Sequence, residues 1–144
     1  MITFKSLMER FVTKGDKGVK LSKVISWKNH LTDDDIRAAS EYLNLNMPRH
    51  LSEEATKLFL KHRDRIEWYR AKDIIRSSKL NPLPRENQTV GHKINKIQNG
   101  EKLNPILLVR HNNRLIVADG YHRLSAVYNT DESERVACVL VSVK

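Results

Sequence analysis

The run Asp119-Gly120-Tyr121-His122-Arg123 gathers side chains that together can handle an oxyanion. It follows the aliphatic pair Val117-Ala118 and leads into Leu124, so a strand ends, a glycine permits a tight turn, and a helix starts at once. The first amides of a helix have no intrahelical acceptor, and the backbone dipole adds positive charge there, so such a corner suits a phosphate. Gly120 lets the phosphate approach the backbone with no Cβ in the way. Arg123 brings a planar fork of donors. His122 can donate to an oxyanion or move a proton near neutral pH. Asp119 has three candidate roles: holding a magnesium ion, orienting His122, or capping the helix. Tyr121 either belongs to the phosphate turn or packs beside it. Gly120, Tyr121, His122 and Arg123 are therefore the candidate phosphate-binding residues. Asp119, His122 and Arg123 are the candidates for catalysis, because placed charge carries most of the rate in phosphoryl transfer.

Elements on either side must hold this corner. Asn104 to Arg110 holds a near-continuous aliphatic run and predicts a strand at a buried sheet position. His111-Asn112-Asn113-Arg114 is a turn, since asparagine tolerates positive φ. Leu115 to Ala118 returns as a second strand, Tyr121 to Tyr128 is helical, and Val136 to Val143 closes the set as a third strand. Ahead of these, Val90, Ile94 and Ile97 share one helical face that ends at Gly100. The order is helix, strand, strand, helix, strand.

Asn81-Pro82-Leu83-Pro84 interrupts the chain, because proline removes donors and bars helix before it. The segment before this break reads as helical. Phe4 to Thr13 is a short amphipathic stretch. Leu21, Val24, Ile25 and Leu31 form the stripe of a second helix. Thr32 before Asp33-Asp34-Asp35 is a helix start, with Ile36, Ala39 and Leu43 on the buried face and Pro48 at the end. Ser52-Glu53-Glu54 starts a longer helix carrying Ala55, Leu58, Phe59, Ile66 and Tyr69. Lys72 to Leu80 reads equally well as an extension of that helix or as a strand. The expected fold is α+β, with a helical region at 1–72 and a small mixed-sheet domain at 73–144.

The corner and its surroundings resemble the ParB/sulfiredoxin-like superfamily. Sulfiredoxins carry Gly-Cys-His-Arg at such a corner and ParB proteins Gly-Glu-Arg-Arg; this chain has Gly120-Tyr121-His122-Arg123. The Pro105-Ile106 strand start, the hairpin, Ala126 in the helix and a closing strand after a short acidic loop agree, over about residues 73–144. The resemblance implies a ParB/sulfiredoxin-like fold that binds nucleotide phosphates, with ATP or CTP and Mg2+ as the implied ligands. Relatives hydrolyse or transfer phosphate, or are described as nucleases. Tyr121 departs from both patterns. Without cysteine there, thiol chemistry of the sulfiredoxin kind is excluded, and the glutamate of ParB is missing too.

The 144 residues carry a formal net charge of +9, which favours a polyanionic partner such as nucleic acid or nucleotide. Most of the excess lies ahead of residue 81, outside the corner. Lys57 to Arg76 is dense in basic side chains around Trp68 and Tyr69, and Lys61, Arg65, Arg70 and Lys72 are the candidate nucleic-acid contacts. Asp64, Glu67 and Asp73 interrupt that set, so a solvated, ion-paired surface is the competing reading. A second class of function follows: a non-catalytic DNA- or protein-binding module using residues 1–72. Lys93 and Lys96 either face a bound phosphate or form the wet side of their helix. The remaining histidines lack metal-ligand spacing. The lone Cys138 sits in an apolar run as a small hydrophobe. No apolar run spans a membrane, and Met1 to Lys14 has no signal-peptide core, so a cytoplasmic protein is expected.

Overall fold

The computed structural model describes residues 25–144. The stretch Phe4 to Thr13, together with Leu21 and Val24, lies outside the described residues. Ile25 to Leu31 is not a helix. It is irregular, with Trp27 bridging to Leu103, Lys28 N–H bonded to Leu103 O at 2.8 Å, and a bend at Asn29-His30. Ile25 and Leu31 are buried, but in different clusters, which one helical stripe would not allow.

Helix α1 (Asp33–Asn46) starts where the sequence predicts. Thr32 is extended and its Oγ1 accepts a bond from Asp35 N–H at 3.2 Å, while Ile36, Ala39 and Leu43 are buried. Removing this cap in Thr32→Ala is expected to cost about 1 kcal/mol in a urea melt. Helix α2 (Arg49–Lys61) begins directly after Pro48, ahead of the Ser52 start signal. Ser52 lies inside it, fully buried, with its Oγ donating to Arg49 O at 3.0 Å.

Helix α2 stops at Lys61, so Ile66 falls in a loop and Tyr69 on strand β1 (Glu67–Arg70). The reason is local. Glu67 to Arg70 alternates half-buried and exposed, the period of a strand, and Trp-Tyr favours extended backbone. Helix α3 (Ala71–Ser78) settles the ambiguous stretch, burying Ala71, Ile74 and Ile75. After the proline loop comes α4 (Gln88–Gln98), capped by Asn87 Oδ1 on Val90 N–H at 3.1 Å. Then follow β2 (Ile106–His111), β3 (Arg114–Asp119), α5 (Tyr121–Thr130) and β4 (Arg135–Ser142). Asn112 and Asn113 take φ of 49° and 62°, the two-residue hairpin the sequence implies.

The fold is α+β, with a mixed sheet in the order β1-β4-β2-β3. Only β4 and β2 run parallel; the other two pairings are antiparallel. Both faces are covered. Ile106, Leu108, Val117, Val136 and Cys138 share a core with α3, α4 and α5. Leu107, Val109, Val139 and Val141 share another with Ile36, Leu43, Ala55 and Phe59 of α1 and α2. That double burial explains the unbroken aliphatic run of β2.

It also corrects the division at residue 72. Among the described residues, the segment before that position supplies an edge strand and one helical layer of the same sheet, and does not stand as a separate helical region. Cys138 is fully buried, and burial pushes its thiol pKa well up, as suits a core position. No helix among the described residues is long and apolar enough to cross a membrane.

Candidate phosphate-binding corner

Strand β3 delivers Asp119 to the sheet edge beside Leu107, and Gly120 turns the chain with φ 104°, ψ 18°. No side chain caps α5, and its first internal bond runs from Leu124 N–H to Gly120 O at 2.8 Å. The amides of Tyr121, His122 and Arg123 are thus left for another acceptor. The sequence expects this feature, and the geometry contains it.

Arg123 lies otherwise than the sequence suggests. Its side chain is one-tenth exposed and folds back beneath the turn. Nη2 donates to Asp119 Oδ2 at 3.0 Å and to Pro105 O at 3.3 Å, and lies 3.6 Å from Asp35 Oδ2. A solvent-facing fork for phosphate is therefore not what this geometry offers. The physical cause is the pair of carboxylates, which desolvation makes costly unless a cation lies between them. Arg123 Nε and Asp35 Oδ2 remain buried with no hydrogen-bond partner.

Gly120 acquires a second role from this packing. A Cβ there would stand 2.9 Å from Arg123 Nη2 and 3.0 Å from Ile106 Cγ1. The missing side chain makes room for the guanidinium as well as leaving the amides open.

Asp119 is half-buried, and burial raises its pKa above the ordinary carboxylate value. Arg123 opposes that shift, and Asp35 adds to it as a neighbouring carboxylate. Asp119 does not cap α5. Across the corner, Lys93 of α4 is half-buried and its pKa is lowered, chiefly by burial, then by Lys96 and Arg123, with Asp35 pulling the other way. Lys93 is thus within electrostatic reach of Arg123 and Asp35, whereas Lys96 is exposed.

His122 is half-buried, its ring 6.2 Å from that of Tyr121. The Tyr121 hydroxyl donates to Asn81 O, tying the first residue of α5 to the proline loop. Ser125 Oγ accepts from Leu83 N–H at 3.0 Å and Asn129 Nδ2 donates to Leu83 O at 2.8 Å, so one face of α5 fastens that loop. Tyr121 is thus a positioning residue for the turn.

Two further residues of the cluster, Asp35 and Pro105, carry no sign of that role in the sequence. Asp35 reads there as one of three first-turn acids; only the packing of α1 on β3 brings it to Arg123. The Pro105 carbonyl is a backbone group with no signature at all.

Magnesium at Asp119 has a poor donor set. Oδ2 is engaged by Arg123, and among the described residues no three His, Cys, Asp or Glu side chains are grouped to hold an ion. The corner's residues do not make a resident metal site.

The candidate nucleic-acid contacts are dispersed. Lys61 ends α2, Arg65 lies in the loop after it, Arg70 ends β1, and Lys72 is in α3. They do not line one helical face. Comparisons with protein-family models, with curated proteins and with solved structures gave no match to this chain.

Proposed function

We propose that the chain binds the phosphates of a nucleotide at the first turn of α5, as the ParB/sulfiredoxin-like resemblance implies. The observation that carries this reading is the uncapped turn after Gly120, with three successive amides lacking an internal acceptor. Phosphate oxygens accept from Tyr121, His122 and Arg123 N–H, and Lys93 and His122 supply side-chain donors. Arg123 acts from behind. It holds Asp119 and the Pro105 carbonyl, and so fixes the turn whose amides do the binding.

Hydrolysis is the activity that this arrangement suits. Asp119 has a second carboxylate oxygen not bonded to Arg123, and a raised pKa makes it a better proton acceptor for water than an ordinary aspartate. The neutralising charge comes from Lys93 and the helix dipole.

Calorimetry with ATP, CTP and GTP, each with magnesium, tests the binding. At least one is expected to bind, with His122→Ala and Lys93→Ala together weakening it by about tenfold or more, the loss of one to two charge-assisted bonds. Absence of heat with all three would refute the reading.

One observation favours a second reading. Arg123 is already neutralised by Asp119 and Asp35, as it would be in a purely structural corner of a non-catalytic module. In that case the loop variants bind DNA or protein unchanged, and nucleotides have no effect on the protein's thermal stability.

A further inference from the structure

The β1–β4 pairing places Arg70 directly opposite Arg135, and Trp68 opposite Ala137. Residues opposite one another in an antiparallel pair point to the same side, with Cβ atoms about 5 Å apart. Arg70 and Trp68, two apart on one strand, share that side as well. It is the side of Val139 and Val141, covered further along β4 by α2, whereas Arg70 and Arg135 are exposed and Trp68 is 49% exposed.

Like charges facing each other across a ladder repel. Here neither arginine has a salt-bridge partner among the described residues, although the chain elsewhere pairs Arg37, Arg49, Arg63 and Arg123 with acids. Glu67, the nearest acid on β1, points to the opposite side and accepts from the Tyr69 hydroxyl. The strip therefore carries two arginines at facing positions, neither with a salt-bridge partner among the described residues, and a half-exposed tryptophan two residues along, on an edge strand of a protein with net charge +9.

We propose that this strip binds single-stranded nucleic acid, with Arg70 and Arg135 sharing a backbone phosphate and Trp68 stacking on a base. An anion between the arginines relieves their repulsion, and an indole on a flat strand offers a face to an unpaired base. A duplex, whose bases are already stacked, gains only the charge term. The proposal is independent of the corner, which lies at the other edge of the sheet, on β3.

The test uses the full chain carrying Trp27→Phe, so that Trp68 is the sole tryptophan, and a fluorescein-labelled dT16 oligonucleotide. Binding at low salt with quenching of Trp68 emission is expected. Trp68→Ala should weaken binding by about tenfold. Arg70→Ala with Arg135→Ala should flatten the slope of log affinity against log salt by about 0.7, the value for one shared phosphate, while Arg114→Ala on the far edge strand changes affinity less than twofold. Circular dichroism and a urea melt establish that each variant is folded, and Trp68→Phe, which keeps a stacking ring, should retain most of the affinity. Unquenched Trp68, an equal loss in Arg114→Ala, or duplex binding as tight as dT16 would each overturn the proposal. Nucleotide binding at the corner is read separately by calorimetry on the same variants and should not change.

Discussion

Arg123→Ala is expected to cost about 3–5 kcal/mol of folding stability at neutral pH, the range for removing one partner from a buried ionic cluster. The carboxylates of Asp119 and Asp35 are one-fifth exposed or less and both approach Nη2 of this guanidinium. Without it they face each other with reduced solvation, and the Pro105 carbonyl loses a donor. Arg123→Lys should recover only part of the loss, since the shorter lysine chain does not bring its nitrogen to where Nη2 meets Asp119, Pro105 and Asp35 together. Adding Asp35→Asn to Arg123→Ala should recover part of the lost stability, because it removes half of the uncompensated charge; this coupling is the signature of a cluster. Urea melts of wild type, Arg123→Ala, Asp35→Asn and the double variant check the coupling, with Arg123→Lys measured beside them. Additive losses would show that Arg123 acts through packing alone.

The same cluster fixes a pH dependence. Burial raises the folded-state pKa of Asp119 above its unfolded value of about 3.9. Between the two values the folded state holds more protons than the unfolded one, so the contribution of Asp119 to stability is greatest below that window and falls as pH rises through it. The stability difference between wild type and Asp119→Asn, followed by urea melts from pH 3 upward, should therefore shift against wild type just above the ordinary carboxylate range. In Arg123→Ala the window should extend further upward, because the cation that lowers the Asp119 pKa is gone. An unchanged difference across that range would mean that Asp119 is solvated in solution.

Gly120→Ala is the second large effect, about 2–4 kcal/mol, combining an unfavourable backbone conformation with overpacking. At φ 104° any L side chain is strained, and the new methyl meets Arg123 Nη2 at 2.9 Å and Ile106 Cγ1 at 3.0 Å. The guanidinium is the end of a flexible chain and can move, but only by loosening its bonds to Asp119 and Pro105. Gly120→Ala with Arg123→Ala should consequently cost less than the sum of the two. Full additivity in thermal or urea melts would mean that backbone strain and the Ile106 contact, without the guanidinium, explain the glycine.

Local chemistry made much of this molecule legible. The Thr32 cap, the Asn112-Asn113 turn and the aliphatic β2 each act within a few residues, and each appears where expected. The strand-glycine-helix corner is of the same kind, and so it too could be read. What escaped depends on packing between distant segments. Tyr69 has helical spacing from Phe59 and Ile66, yet it pairs with Val136 on β4, and no local period announces that partner.

The cluster failed to show for a related reason. Asp35 is one of three consecutive acids, any of which satisfies the helix dipole, and only the seat of α1 on β3 selects it as the neighbour of Arg123. A guanidinium at a helix start looks like an anion ligand until the carboxylates around it are known. The sequence displays Asp119, but not the burial that makes the pair bind inward. Lys93 shows the converse: read as either a ligand or a wet-side residue, it is drawn into the cluster by the packing of α4 on α5.

A nitrogen–proton correlation spectrum recorded during titration with CTP, and again with pyrophosphate, interrogates the open turn most directly. The Tyr121, His122 and Arg123 amide protons should move downfield together and saturate, as amides do when they gain a charged acceptor, with Lys93 side-chain signals shifting alongside. If those three amides stay in place up to millimolar ligand, phosphate does not bind at the start of α5.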